Sequence, residues 1–246
     1  MSDAPEFGTG ACLEFMAPLS TQRADRFAAT LATTTPHTVL DVGCGWGELL
    51  LRIVAASGAN GTGIDTDGRD LTRARKNAAA RGLARRVTFI EGTGPAHATS
   101  ADVVVNIGAY QAFGGVSDAL RALRALVNPR GRLLFGAEMW QRPPTPQDLA
   151  NMWPGISADD CTDLPGLVDH ATAAGFRPLR IETATSAEWE EFESGLAAEG
   201  ELWLLGNADD PAADAVRTKL DAQRNIWLSG HRDVMGFAYL TLGVPS

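Results

Sequence analysis

The sequence lacks the features that mark several common protein classes. Its three cysteines, Cys12, Cys44 and Cys161, form no CxxC pair, which argues against a disulfide framework and against a zinc site. No apolar run reaches the roughly 18 residues of a membrane-spanning helix. Residues 1–11 contain acids and glycines where a secretory signal would have a basic end and an apolar stretch. We therefore expect a cytoplasmic protein.

Positive charge is also scarce. The chain has 21 lysines and arginines against 30 aspartates and glutamates, which gives a formal net charge of -9. Such a surface repels phosphate backbones and anionic lipids, so neither nucleic acid nor a membrane is expected as a partner. We expect a small-molecule substrate, and a chain that is a monomer or a homodimer.

Strand and helix patterns alternate along most of the chain. The 246 residues suffice for one packed α/β domain, and the alternation is typical of a parallel sheet covered by helices on both faces. The predicted strands cover residues 37–42, 61–65, 87–91, 102–107, 132–137, 176–183 and 234–242. The predicted helices cover residues 20–32, 46–57, 69–81, 116–126 and 164–174.

Two further helices are predicted in residues 184–229. Thr185 and Glu188 form a capping box, and apolar residues at helical spacing follow it. A second helix is predicted to begin at Asp210 and Pro211, an N-cap followed by a first-turn proline. Four acids at the start of the first helix are interpreted as a solvated face, with attraction of a basic substrate as the alternative. These acids are Glu188, Glu190, Glu191 and Glu193.

A glycine-rich turn at residues 39–47, with the sequence VLDVGCGWG, carries the main functional signal. An apolar strand runs into Gly43, Gly45 and Gly47, where the backbone can bend sharply and present bare N–H groups to a ligand. Asp65 ends the next strand, where a carboxylate can accept both ribose hydroxyls of a nucleoside. Together these features predict a nucleoside site; the alternative is a tight turn followed by a simple helix cap.

The glycine spacing differs from the GxGxxG of dinucleotide sites. It resembles motif I of class I S-adenosylmethionine (SAM)-dependent methyltransferases, in which a strand ends in acid-x-G-x-G-x-G. Residues 63–67 (GIDTD), 106–109 (NIGA) and 126–135 (LVNPRGRLLF) also look like segments of that family. More narrowly, residues 107–115 and 136–140 resemble a little-characterised bacterial group of small-molecule methyltransferases.

The resemblance implies a fold and a cofactor. The fold is a Rossmann-like three-layer α/β sandwich with helical cap insertions. Its seven-stranded, mostly parallel sheet has the order 3-2-1-4-5-7-6 and an antiparallel last strand. The cofactor is SAM, and the product is S-adenosylhomocysteine. The implied cofactor-binding residues are Asp41, Gly43, Cys44, Gly45, Gly47, Asp65, Thr66, Gly92, Thr93, Asn106 and Gly108.

One part of the chain departs from the family pattern. After the third strand, family members often carry Gly-Asp-Ala, with the aspartate holding the adenine amino group. Here the matching residues are Gly92, Thr93 and Gly94. Thr93 can offer a hydroxyl without a charge, and Glu91 can substitute from one position earlier, so the adenine contact is open between these two residues.

The implied topology also suggests where an acceptor binds. We expect one methyltransferase domain over residues 1–246, with an N-terminal helical segment at 1–35. An insertion at 138–157 and a two-helix cap at 184–229 leave the sheet at its active face. A cap would exclude water and align the reacting atoms; a dimer interface or simple padding is the alternative for these helices.

Four side chains are candidates for acceptor chemistry. His231 is predicted to start the seventh strand and suits a general base. Glu138, at the end of the fifth strand, could position an amine or take a proton, and Tyr110 could line the pocket or donate a hydrogen bond. Glu138, His231 and Tyr110 are thus the catalytic candidates. The substrate-binding candidates are Tyr110, Glu138, Trp140 and Trp189.

The predicted reaction is methyl transfer to a small molecule by direct displacement, without a metal. Oxygen and nitrogen acceptors are favoured, and carbon stays open. The alternatives are a SAM-binding protein without turnover, such as a regulatory subunit, and an enzyme in which SAM assists another reaction. A nicotinamide-dependent oxidoreductase is disfavoured, because GxGxxG and Tyr-x-x-x-Lys are missing.

Overall fold

A computed structural model describes residues 4–245, so residues 1–3 and 246 of the predicted single domain lie outside the described residues. The described chain divides into two compact units. Unit 1 comprises the residues up to 19 together with 139–163 and 184–236. Unit 2 comprises residues 20–138, 164–183 and those from 237 onward.

Seven strands form one sheet in the order β3-β2-β1-β4-β5-β7-β6. Strand β1 pairs in parallel with β2 and β4, and the pairs β2–β3 and β4–β5 are also parallel, whereas β6 and β7 are antiparallel. The predicted α/β class, Rossmann-like sandwich and strand order are confirmed. The strands are β1 Thr38–Val42, β2 Asn60–Asp65, β3 Val87–Glu91, β4 Ala101–Ile107, β5 Val127–Trp140, β6 Arg177–Thr183 and β7 Met235–Gly243.

The helices follow local signals in the sequence. Ser20 caps α1 by accepting from the Arg23 amide, and Asp67 caps α3 by accepting from the Arg69 amide. The helices are α1 Thr21–Ala32, α2 Glu48–Ser57, α3 Gly68–Ala80, α4 Gly94–His97, α5 Val116–Leu126, α6 Pro146–Ala150, α7 Leu164–Ala173, α8 Ser186–Gly206 and α9 Ala213–Asn225. In the described part of the chain, none of these helices is long and apolar enough to span a bilayer.

The core of unit 2 lies where its strands are apolar along their whole length. Strand β7 is buried at each of its positions, and β4 is almost as deeply buried. Strand β4 is parallel to both of its neighbours, and parallel strands that are buried on both faces read as near-continuous apolar runs. Phe237 and Tyr239 pack with ring centroids 5.1 Å apart. This core fixes the ends of β1 and β4, from which the glycine-rich loops leave the sheet.

The structure corrects two predicted boundaries. Strand β5 begins at Val127 rather than Arg132, because the pairing with β4 shifts register between Ala101 and Val103. Arg130 takes a left-handed φ of 65° there, so the residues before Arg132 form an irregularity within the strand. Among the described residues of the predicted N-terminal helical segment 1–35, only Thr21–Ala32 are helical; residues 4–19 form turns, bends and irregular chain.

Unit 1 contains the two helices predicted in residues 184–229. The capping box of Thr185 and Glu188 is present in full at the start of α8. Helix α9 begins at Ala213, because Asp210 accepts a hydrogen bond from the Ala212 amide and forms a turn before the helix. The helix continues as a π-helical turn over Ile226–His231. The predicted role of residues 184–229 as a cap stays a prediction.

Candidate functional site

The glycine-rich turn is fastened to strand β2 by backbone hydrogen bonds. The amides of Gly43 and Cys44 donate to the Ile64 carbonyl at 2.8 and 3.1 Å. Gly43 has a φ of +78°, and a Cβ at this position would overlap the Cβ of Ala109. Only glycine fits this conformation and this close approach without strain. The turn therefore depends on Gly43 for both its bend and its packing.

The carboxylate of Asp65 is oriented by backbone amides. Its Oδ2 accepts from the Gly45 amide at 2.7 Å, and its Oδ1 accepts from the Asp67 amide at 3.0 Å. A carboxylate has about four acceptor positions, so about two remain for a ligand. Asp65 is thus held in place before any ligand binds.

A cavity of about 320 Å³ in unit 2 opens at the carboxyl ends of β1 to β4. This is the edge at which open α/β sheets bind ligands. Five of the predicted cofactor-binding residues line it, namely Gly43, Asp65, Thr66, Gly92 and Thr93. The other lining residues are Val42, Ile64, Gly94, Ala109, Gln111 and Ala112.

Sequence reasoning assigned no role to Gln111 and Ala112. They lie on a 3₁₀ turn, Tyr110–Phe113, that follows β4. Their position directly after β4 could have predicted this role, because the loops that follow neighbouring parallel strands meet at one edge of the sheet.

The remaining predicted cofactor residues are not among those lining the cavity. Asn106 is fully buried, and its Nδ2 donates to the Val42 carbonyl at 3.0 Å, which braces the end of β1. The Gly108 amide donates to the Gly136 carbonyl at 2.9 Å and fastens the loop after β4 to β5. The Gly45 amide binds Asp65, and a Cβ at Gly47 would lie 2.8 Å from the Phe89 ring. These residues support the turn in the structure, and their direct contact with a ligand stays a prediction.

Two titratable side chains, Asp41 and Cys44, belong to the end of β1 and the turn that follows it. Burial raises the pKa of Asp41 to about 8, and the nearby charge of Asp65 adds to this effect. Burial likewise raises the pKa of the Cys44 thiol, with the charges of Asp41 and Asp65 as further causes. The Cys44 thiol is therefore kept in its protonated form, and Asp41 carries a proton over part of the neutral range.

The two residues that the sequence left open for the adenine contact differ in position, and the contact itself stays a prediction. Thr93 lines the cavity, whereas Glu91 is absent from its lining. A Glu91 carboxylate oxygen instead lies 2.9 Å from the position that a Cβ on Gly68 would take, against the start of α3.

Glu138 and Tyr110 come together in unit 2. The Tyr110 side chain donates a hydrogen bond to the Glu138 carboxyl group, yet burial dominates and raises the pKa of Glu138. Its Oε2 is buried and has no hydrogen-bond partner among residues 4–245. Tyr110 is itself buried, with its ring 6.4 Å from that of Phe135. A buried carboxyl with an open acceptor atom can take a proton from, or hydrogen-bond to, a polar ligand group.

His231 does not start β7, as the sequence predicted. It ends the π-helical turn, whereas β7 begins at Met235. Its ring is 1% exposed and stacks on Trp153 at 5.0 Å, and Trp189 lies 5.7 Å away. The His231 Nε2 atom is 3.1 Å from Oε1 of Glu193. His231 is thus a buried member of unit 1 that faces a carboxylate.

Trp140 and Trp189 pack within unit 1. Trp140 is in a buried cluster with Met152, Val234 and Met235, and its Nε1 donates to the Ala158 carbonyl at 2.8 Å. Trp189 packs edge-on against Phe192 at 6.1 Å and beside His231. Both tryptophan side chains thus have packing partners within unit 1. Their predicted contact with a substrate stays a prediction.

The chain is similar to known proteins both in sequence and in structure. Residues 40–133 match a model described as a methyltransferase domain. The uncharacterised protein YjhP of Escherichia coli K12 is 28% identical over 206 residues, which is 83% of each chain.

Two solved structures resemble most of the chain. A SAM-dependent methyltransferase from Geobacter sulfurreducens in complex with S-adenosyl-L-homocysteine is 28% identical, with a TM-score of 0.85 over 97% of this chain and 96% of that one. A SAM-dependent methyltransferase from Thiobacillus denitrificans, in complex with the same compound, is 26% identical, with a TM-score of 0.84 over 95% of each chain. The similarity therefore extends well beyond the matched methyltransferase domain.

Proposed function

Because the chain belongs to the class I SAM-dependent methyltransferases, we propose that it binds SAM at the glycine-rich edge of unit 2 and methylates a small molecule. The acceptor atom is oxygen or nitrogen, and S-adenosylhomocysteine is the second product. The observation that carries this proposal is the carboxylate of Asp65, which lines the cavity and is aimed by two backbone amides.

The residues around the cavity fit the chemistry of SAM. Asp65 retains about two acceptor positions for the ribose hydroxyls, and Thr93 offers a hydroxyl to the adenine edge. Gly43 keeps side-chain atoms away from the turn, so backbone and ligand can approach closely. When bound, SAM supplies an electrophilic methyl group on its sulfonium sulfur.

Glu138 and Tyr110 supply the acceptor chemistry in this proposal. The open Oε2 of Glu138 takes the proton that a hydroxyl or ammonium acceptor must lose, and Tyr110 holds the carboxyl group in position. Burial makes Glu138 a stronger base than an exposed glutamate once it is ionised. A small-molecule acceptor agrees with the net charge of -9, which disfavours nucleic acid.

The proposal is tested by incubating pure protein with methyl-labelled SAM and an extract of small metabolites. Mass spectrometry follows the label in the fraction that passes an ultrafilter, together with the release of S-adenosylhomocysteine. We expect label in a small molecule. Bound SAM without transfer would favour a non-catalytic SAM-binding protein, and label only on retained macromolecules would contradict the proposed acceptor class.

The proposed role of Glu138 in deprotonating the acceptor has its own test. We expect Glu138→Gln to lower the rate of methyl transfer about 100-fold, the lower range for loss of a general base, with SAM affinity unchanged. The wild-type rate should fall as the pH drops through the raised pKa of Glu138, because only the ionised carboxyl accepts a proton. Glu191→Gln, an exposed change in unit 1, is the matched control. Loss of SAM binding in Glu138→Gln would remove the assignment.

A further inference from the structure

Unit 1 contains a second cavity that the proposed function does not use. It measures about 240 Å³ and lies between α8 and the α9 helix with its π-helical turn. This is slightly below the usual range of about 300–1,000 Å³ for ligand pockets, so its ligand would be small. The residues lining it are Glu193, Ser194, Ala197, Glu201, Gln223, Arg224, Trp227 and Leu228.

The acid that lines this cavity is buried. Glu193 is 5% exposed, although its place in an acidic run of the sequence suggests a solvated residue. Its Oε1 faces the His231 ring, and its Oε2 receives only a long contact from the Gln223 amide, at 3.4 Å. A buried carboxylate normally has close charged or hydrogen-bonding partners. Oε2 therefore has acceptor capacity left for a ligand.

Of the charged residues that line the cavity, Glu193 is the one that faces a histidine and an amide rather than a lysine or arginine. Arg224 forms ion pairs with Glu201 and Asp221, so its charge is already matched. No lysine or arginine ion pair to Glu193 is present among residues 4–245. A positively charged ligand would thus meet a net negative site.

The other wall of the cavity is apolar and aromatic. Trp227 and Leu228 belong to the π-helical turn Ile226–His231. Such turns are rare and occur frequently at functional sites. An indole ring and a carboxylate that line the same cavity can together bind an organic cation. The ring face attracts the cation, and the carboxylate pairs with its charge.

We propose that the cavity of Glu193 and Trp227 binds a small organic ammonium ion. The ammonium group pairs with Glu193 and displaces the weak Gln223 contact, while the carbon skeleton packs on Trp227 and Leu228. This site goes beyond the proposed methyl transfer and rests on residues of unit 1 alone.

The test uses two probes of equal shape, benzylamine, which is protonated at neutral pH, and benzyl alcohol, which is neutral. Calorimetric titration of the full-length wild-type protein at neutral pH should give a Kd for benzylammonium at least tenfold lower than that for benzyl alcohol. Equal affinities, or no binding of benzylammonium, would overturn the proposal. SAM affinity measured in the same sample reports separately on the proposed function.

Variants test whether the preference for benzylammonium over benzyl alcohol arises in this cavity. Glu193→Gln should remove the preference for the cation, whereas the exposed control Glu191→Gln should keep it. If Glu193→Gln does not fold, Trp227→Leu replaces it, with an expected 2- to 30-fold weaker affinity for benzylammonium from the loss of the cation–π contact. A preference that persists in Glu193→Gln, or an unchanged affinity in Trp227→Leu, contradicts the site.

Discussion

The carboxylates of Asp65 in unit 2 and Glu193 in unit 1 both line a cavity, but they are held by different kinds of partner. Asp65 accepts hydrogen bonds from the backbone amides of Gly45 and Asp67. Glu193 contacts the side chains of His231 and Gln223. Backbone donors are fixed by the path of the chain, whereas side-chain donors depend on how separate helices pack. The first arrangement is therefore visible in a local motif, and the second is visible only in the fold.

The largest expected effect is on the pH dependence of the free energy of unfolding, and it comes from the buried Asp41. Burial raises the pKa of Asp41 to about 8 in the folded protein, against about 3.9 in an unfolded chain. Between these pH values the folded state keeps a proton that the unfolded state releases, so the free energy of unfolding falls as the pH rises.

Asp41→Asn removes this titration. The variant should lose less stability than the wild type between pH 5 and about 8. Urea unfolding of the protein without ligands, followed across this range, measures both slopes. Parallel curves would show that Asp41 is not held in its protonated form.

A smaller effect is expected where the turn meets the loop after β4. Gly43→Ala introduces a left-handed alanine, at about 1–2 kcal/mol, and an overlap with Ala109, at about 1–3 kcal/mol. Gly58→Ala is the matched control, because Gly58 also has a positive φ of +73° but no neighbour within 4 Å of the added Cβ.

The difference between the two variants in unfolding free energy isolates the contact with Ala109. We expect Gly43→Ala to be the less stable variant, and it should also bind SAM more weakly. Equal stabilities would mean that the turn can move away from Ala109, so that its close packing is not what fixes the cavity.

The smallest effect is expected for Trp140 in unit 1. Trp140→Phe removes the hydrogen bond from the indole Nε1 to the Ala158 carbonyl, which contributes about 0.5–1.5 kcal/mol. If Trp140 only packs, the KM for the acceptor stays the same while the midpoint of urea unfolding falls. A raised KM at unchanged stability would instead place Trp140 against the substrate, as the sequence suggested.

Much of unit 2 could be predicted because its signals are local. The strand order followed from the family resemblance of the glycine-rich turn, and Ser20 is a preferred N-cap residue type directly before the predicted helix. Asp65 could be found because it ends the strand after the turn. Gln111 could not, since its place in the cavity depends on a 3₁₀ turn without a clear signature.

Unit 1 was harder to predict, for a physical reason. The acidic run predicts a solvated face, but Glu193 is buried and faces His231. This role depends on a partner far along the chain that charge patterning does not reveal. His231 was placed at a strand start, because nothing in the sequence separates a π-helical turn from an ordinary helix end at Gly230.

The most direct test of this account measures SAM binding in two variants side by side. Asp65→Ala should weaken SAM binding by about 2–4 kcal/mol, because two charge-assisted hydrogen bonds are lost, while Glu193→Gln should leave it unchanged. Equilibrium dialysis with labelled SAM, alongside the wild type, gives all three affinities. Unchanged binding in folded Asp65→Ala, or an equal loss in Glu193→Gln, would contradict the assignment of the cofactor to the glycine-rich edge of unit 2.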